Sequence, residues 1–167
     1  LNHASIIDGC RLSRATISVF AHNDMDNLEN KLFKACQQKQ LNRKLIVVDG
    51  LFSMDGDLAP LPDLVQLAAE YDCMLMVDEA HATGVLGPGG RGVVAHFDLE
   101  KEIPVIMGTL SKALGSMGGF VVGSSMLTEY LVNTSRSFIF STALPPMVVM
   151  SALAAVEILE SDPSLST

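Results

Sequence analysis

An α/β fold, with a mostly parallel sheet flanked by helices, is what three observations in this chain predict. Two short stretches, Lys44–Asp49 and Cys73–Asp78, are almost wholly apolar and each ends in aspartate. A third apolar run, Pro104-Val105-Ile106-Met107, comes later in the chain. Helical periodicity and turn residues fill the intervals between them. Continuous apolar runs read as strands buried on both faces, and strands alternating with helices imply right-handed crossovers into a parallel sheet.

In chain order, residues 6–12 read as a short helix, and the β-branched stretch at residues 16–20 as a short strand. Asp26 is a candidate N-cap for a helix running to about Gln37, whose apolar positions Leu28, Leu32 and Phe33 fall at helical spacing. Lys44–Asp49 follows as a buried strand. Residues 51–62, punctuated by Gly and Pro, read as a loop, with Asp63 or Leu64 opening a helix to Tyr71. Cys73–Asp78 is the next strand, residues 104–107 a third and Phe120-Val121-Val122-Gly123 a fourth. Helical periodicity returns over residues 126–132 and, after Pro145-Pro146, over 147–159, with a further strand expected at residues 138–141.

The chain has the size of one domain, with 167 residues that are 49% hydrophobic and 18% charged, which argues against disorder. A net charge of −8 argues against a nucleic-acid surface. No apolar run approaches the roughly 20 residues of a membrane span, and no secretory signal is visible. Cys10, Cys36 and Cys73 are too widely spaced for a CxxC site and read as reduced thiols of a cytoplasmic protein. The opening Leu1-Asn2-His3 lacks an initiator Met, which suggests a segment of a longer protein.

Parallel α/β sheets bind ligands beyond the carboxyl ends of their strands. Four polar groups follow apolar runs in this way: Asp49 with Ser53, Asp78 with His81, Thr109 with Lys112, and Ser141 with Thr142. Lys112 lies in the glycine run from Gly108 to Gly119, between two expected strands. Burial there would disfavour its charged form, as a Schiff-base nucleophile requires. A solvated lysine in a glycine-rich turn is the simpler alternative.

Other chemistries compete for the same residues. Asp78-Glu79-Ala80-His81 spells the DEAH box of nucleic-acid helicases, but no Gly-Lys dipeptide of a phosphate loop exists in the chain. A metal site of His81 with Asp49, Asp55, Asp57 or Asp78 lacks the spacing of a calcium loop or a zinc HExxH pair, and these aspartates suit turns beside Gly56 and Pro60. A purely structural or interaction module is also open. A reading that uses all four groups is pyridoxal phosphate: an amine able to form an imine, and an aspartate to keep the pyridine nitrogen protonated.

The chain resembles the α-oxoamine synthases, pyridoxal-phosphate enzymes of the aspartate aminotransferase fold. The resemblance rests on Leu1-Asn2-His3-Ala4-Ser5, Phe20-Ala21-His22-Asn23-Asp24, Phe52-Ser53-Met54-Asp55-Gly56-Asp57, Asp78-Glu79-Ala80-His81-Ala82-Thr83-Gly84, Gly108-Thr109-Leu110-Ser111-Lys112 and Phe140-Ser141-Thr142-Ala143-Leu144-Pro145-Pro146, in the family's order. It implies that the chain is the central segment of the cofactor-binding large domain, without the N-terminal part and the C-terminal small domain. The resemblance also implies roles. Lys112 carries the cofactor and moves the Cα proton, Asp78 pairs with the ring nitrogen, and His81 and Ser53 contact the phenolic oxygen. His3 stacks on the ring, Thr109 binds phosphate, and Ser141 and Thr142 reach the cofactor phosphate of a partner subunit in a homodimer. The family condenses an amino acid with an acyl-CoA or related thioester and releases carbon dioxide. The segment alone is expected to be inactive, His22 and His96 to be capping or surface residues, and Arg91 and Arg136 to form structural ion pairs.

Overall fold

A computed structural model of the chain describes residues 1–38 and 43–166. Its elements are α1 (Ala4–Ser13), α2 (Met25–Cys36), β1 (Lys44–Asp49), α3 (Leu61–Glu70), β2 (Cys73–Asp78), α4 (Val93–His96), β3 (Val105–Thr109), β4 (Gly119–Gly123), α5 (Ser125–Thr134), α6 (Arg136–Ile139) and α7 (Pro146–Ser161). The strands lie in the order β1-β2-β3-β4, with the first three parallel and β4 antiparallel to β3. The expected α/β fold on a mostly parallel sheet is therefore the one observed. No helix among the described residues is long and apolar enough to cross a membrane.

The core forms where apolar strand positions meet the helices. Ile46 and Val48 of β1 and Leu75 and Val77 of β2 pack with Leu28 and Leu32 of α2, Leu61 and Leu64 of α3, and Val93 and Val94 of α4. Helix α3 begins at Leu61 with Pro62 in its first turn, where the missing N–H costs nothing and the fixed φ suits the helix. Helix α2 is capped by Asp24, whose carboxylate accepts the amide of Asn27 at 2.8 Å. The expected cap, Asp26, lies inside the first turn and faces the positive end of the helix dipole. Phe33, expected among the buried positions of α2, is exposed.

Three further expectations are corrected. Residues 16–20 form no strand, because among the described residues they have no ladder to join, and β propensity without a partner strand stabilises nothing. Residues 138–141 are not a strand either. The amide of Phe140 bonds to the Arg136 carbonyl at 3.0 Å and the Arg136 guanidinium sits 4.8 Å from the Phe140 ring, so a single helical turn closes there. Finally, burial of the strands on both faces is incomplete among the described residues: Leu45 and Met74 are half exposed, and so are Val121 and Val122 of β4.

Beyond β2 the chain turns through residues 79–92 before α4, and that turn depends on Gly92. Its φ is +99°, and a Cβ there would lie 2.6 Å from the buried Glu79 carboxylate. Gly92→Ala is expected to lower the unfolding free energy by about 2–4 kcal/mol, measured by denaturant titration, since both strain and a carboxylate clash must be relieved.

Candidate active site

The strand register brings the acidic strand ends together. Asp49 pairs with Asp78, and Asp78 with Met107, so these three residues share one face of the sheet. Thr109 is the next residue of β3 on that face. Asp49 and Asp78 are buried, at 2% and 4% exposure. Asp78 Oδ1 accepts the amide of Ala80 at 2.8 Å, which turns the chain after β2. Among the described residues its other oxygen has no hydrogen-bond partner, and no cation pairs with it. Among the described residues the buried side-chain atom without a partner is Asp57 Oδ1 and not this one, so the second Asp78 oxygen keeps contact with solvent and can accept from a positively charged donor.

Glu79 projects the other way, as alternation along the strand requires. It is 2% exposed, and its two carboxylate oxygens accept the amides of Val93 at 2.9 Å and Val94 at 2.7 Å. Burial pushes its carboxyl above the ordinary 4.5, although the Val94 and Val93 amides pull it down; Asp78 adds to the rise. Burial likewise raises Asp49 above its ordinary 3.8, opposed by the His3 backbone amide and assisted by the charge of Asp78.

His3 is tied to the same corner. Its backbone N–H donates to Asp49 Oδ1 at 3.3 Å, and the Asn2 amide donates to the Val47 carbonyl at 2.8 Å. The ring also serves as the N-cap of α1: Nδ1 accepts the Ser5 amide at 3.3 Å and lies 2.8 Å from Ser5 Oγ. With Nδ1 accepting, the neutral ring carries its proton on Nε2, which stays available.

The glycine run after β3 folds into a compact loop. The Thr109 hydroxyl donates to the Gly118 carbonyl at 3.0 Å and lies 2.7 Å from Ser111 Oγ. Leu110 and Gly118 are joined at 2.9 Å, and Ser116 Oγ bonds to the Val148 carbonyl of α7 at 2.7 Å. Gly118 has φ +116°, and a Cβ there would press on Leu144 at 3.1 Å, so the segment before α7 is seated against this loop. Lys112 lies in the loop at the carboxyl edge that also holds Asp78, but it is exposed. The burial expected for it is not found among the described residues.

The remaining expected site residues are less closely gathered. His81 is half-buried in the turn after β2, and Ser53 is exposed in the turn after β1. Ser141 and Thr142 are exposed between α6 and α7, so the fourth polar group does not sit at a strand end. Arg91 makes the expected ion pair, with Glu100 at 3.5 Å, whereas Arg136 stacks on Phe140 instead. His22 bonds to Asp57 at 2.8 Å, edge-on to Phe52, and His96 is exposed in the last turn of α4.

Two residues matter more than their sequence reading suggested. Asp49 is an immediate neighbour of Asp78, and the signal was present: two similar apolar runs ending in Asp pair end to end if parallel. Glu79 reads from sequence as half of an acidic box, yet both of its oxygens are taken by backbone amides. Asp78 and Glu79 therefore do not converge on one cation. Among the described residues, the side chains whose ligand atoms do come within 4.8 Å of one another are His22, Asp55 and Asp57, not a set containing His81, and Asp57 already bonds His22 and Asn23.

Known proteins resemble this chain in sequence and fold. The family model for aminotransferase class I and II matches residues 1–162. An 8-amino-7-oxononanoate synthase of Alkaliphilus metalliredigens is 56% identical over 161 residues, covering 96% of this chain and 40% of that protein. Serine palmitoyltransferase from S. paucimobilis, solved with a bound pyridoxal phosphate–myriocin aldimine, superposes with a TM-score of 0.88 at 40% identity, covering 95% of this chain and 39% of the other. An 8-amino-7-oxononanoate synthase from Francisella tularensis gives 0.79 at 34% identity, covering 95% and 44%. The chain spans about two fifths of the length of the curated relatives it matches, 42% and 40% in two cases.

The raised carboxyls give stability a pH dependence of definite sign. The folded state binds the Asp49 and Glu79 protons more tightly than the unfolded chain. Stability is therefore highest below the ordinary values of 3.8 and 4.5 as far as these two groups are concerned, and it falls as pH rises from there through the raised folded values. Asp49→Asn removes one of the two contributions. Its unfolding free energy, followed by denaturant titration from about pH 4 to pH 8, is expected to decline less steeply than that of the unaltered protein.

Proposed function

Because the chain belongs to the aminotransferase class I and II family, we propose that it forms the cofactor-binding centre of a pyridoxal-phosphate-dependent α-oxoamine synthase. The reaction joins an amino acid to an acyl thioester with loss of carbon dioxide. Within that class the reading is 8-amino-7-oxononanoate synthase, a cytoplasmic homodimer of biotin biosynthesis using L-alanine and a pimeloyl thioester on CoA or an acyl-carrier protein. The names of the relatives support it, as does the wording of the Asp78 and Ser141 segments. The second reading is another α-oxoamine synthase, glycine C-acetyltransferase foremost; the 40% identity to a serine palmitoyltransferase structure keeps the class wider than one substrate pair.

The observation that carries the cofactor assignment is Asp78: a carboxylate at 4% exposure with a free oxygen and no cationic partner among the described residues. A protonated ring nitrogen is the donor it lacks. The Thr109 and Ser111 hydroxyls, 2.7 Å apart beside an exposed lysine amine, can donate to a phosphorylated aldehyde once their protons turn away from the Gly118 carbonyl and from each other. When bound, pyridoxal phosphate supplies an electron-withdrawing ring that acidifies the substrate Cα–H.

The chain's own residues divide the remaining work. Lys112 Nζ would hold the cofactor covalently and, once the substrate amine had replaced it there, would be free as an amine to take the proton from the substrate Cα. Asp78 keeps the ring nitrogen positive. His3 lies against the ring face and helps to place the substrate. His81 and Ser53 hold the phenolic oxygen, and Thr109 binds the phosphate. Ser141 and Thr142 serve the phosphate of the partner subunit, which agrees with their exposure here.

Two measurements on the full-length protein test this reading. Alanine or glycine is offered with pimeloyl-, acetyl- and succinyl-CoA while CoA release is followed. Alanine with pimeloyl-CoA is expected to be fastest, and faster turnover of glycine with acetyl-CoA would transfer the assignment to the second reading. Borohydride reduction and peptide mapping should recover a pyridoxyl adduct on Lys112. Lys112→Ala should lose that adduct, with turnover falling by roughly 10²–10⁴-fold from loss of the base alone.

A further inference from the structure

We propose that Asp49 is a positioning residue of this site, whose carboxyl holds the backbone of His3 against the end of β1 and thereby sets the imidazole beside Asp78. The inference rests on the function proposed above and adds to it a residue that the sequence reading left without a role.

Several observations converge on Asp49. It is almost fully buried, at 2% exposure, and its carboxyl accepts one hydrogen bond among the described residues, from His3 N–H at 3.3 Å. That bond reaches across 46 positions of sequence, so it is a tertiary tether and not a local turn. A second tether runs parallel to it, from the Asn2 side chain to the Val47 carbonyl at 2.8 Å. Between them, two successive residues ahead of α1 are fastened to β1. His3 is also the N-cap of α1, so its ring direction follows from where its backbone is held and from the Ser5 contacts. Asp49 and Asp78 are paired in register on one sheet face, which makes the held backbone a neighbour of the acid that meets the ring nitrogen.

A purely structural acid would be poorly chosen for this place. Burying a carboxylate beside another carboxylate is unfavourable, and burial and the Asp78 charge both act against its ionisation. The titratable side chains facing Asp49 are Asp78 on β2 and the His3 imidazole. An apolar residue at that position would leave the His3 amide without this acceptor.

The test uses the full-length protein with Asp49→Ala, Asp49→Asn and His3→Ala. In the cofactor-free protein, amide hydrogen exchange of the peptide containing His3 is expected to rise in Asp49→Ala and to stay near the unaltered rate in Asp49→Asn, whose amide oxygen still accepts. Pyridoxal phosphate binding should weaken about 10-fold or more in Asp49→Ala, the loss of one hydrogen bond to a charged acceptor. The induced circular dichroism of bound cofactor, which reports ring orientation, should change with it. Asp49→Asn should restore both. Combined with His3→Ala, Asp49→Ala should add little further loss of affinity, because the two act through one another. Unchanged exchange at His3, or additive losses in the double variant, would overturn the positioning role even if the cofactor binds. An unaltered protein that takes up no pyridoxal phosphate would instead overturn the proposed function, and this role with it.

Discussion

A carboxylate withdrawn from water must find donors inside the protein, and in this chain Glu79 finds the amides of Val93 and Val94. Each such bond to a charged acceptor is worth about 1.5–3 kcal/mol, set against a desolvation cost of several kcal/mol. The raised Glu79 carboxyl shows that burial outweighs the amides in the balance. What the bonds secure is direction. They fasten the residue after β2 to the start of α4, so the long turn between them closes over Gly92, and Asp78 is left facing the opposite side of the sheet.

That division of labour decides between chemistries that share the same letters. An acidic pair at a strand end can hold a magnesium ion jointly only if both carboxylates turn to one side. Glu79 has spent both oxygens on backbone amides, whereas Asp78 keeps one free. The free oxygen faces the side where His3 is tied to Asp49 and where β3 ends in Thr109. A carboxylate with an oxygen to spare, an imidazole on a tethered backbone and a hydroxyl cluster beside an amine lie at one edge of the sheet.

Much of this was legible in the residues. The two apolar runs ending in Asp49 and Asp78 became β1 and β2 with the bounds their pattern marks, because a strand buried in a parallel sheet needs an unbroken apolar run. Where the reading failed, local propensity was asked to decide a question of partnership. Residues 16–20 have the composition of a strand but no neighbour, and Phe140 prefers Arg136 one turn away to any ladder. Asp26 had the chemistry of a cap, but Asp24 has the extended backbone that lets a side chain reach back to Asn27. Lys112 lies between apolar runs that suggest burial, and it is exposed, because those runs report on the strands and not on the loop that joins them.

The sequence by itself determined the class of fold, the order of the buried strands and the types of group available at their carboxyl ends, since periodicity and residue chemistry are properties of a chain read in one dimension. Only the tertiary structure decided which of those groups are neighbours. Strand register set Asp49 against Asp78, a tether across 46 positions brought His3 to them, and two amides of α4 turned Glu79 away. Contacts of that kind depend on where distant segments meet in space, and no local pattern encodes the meeting.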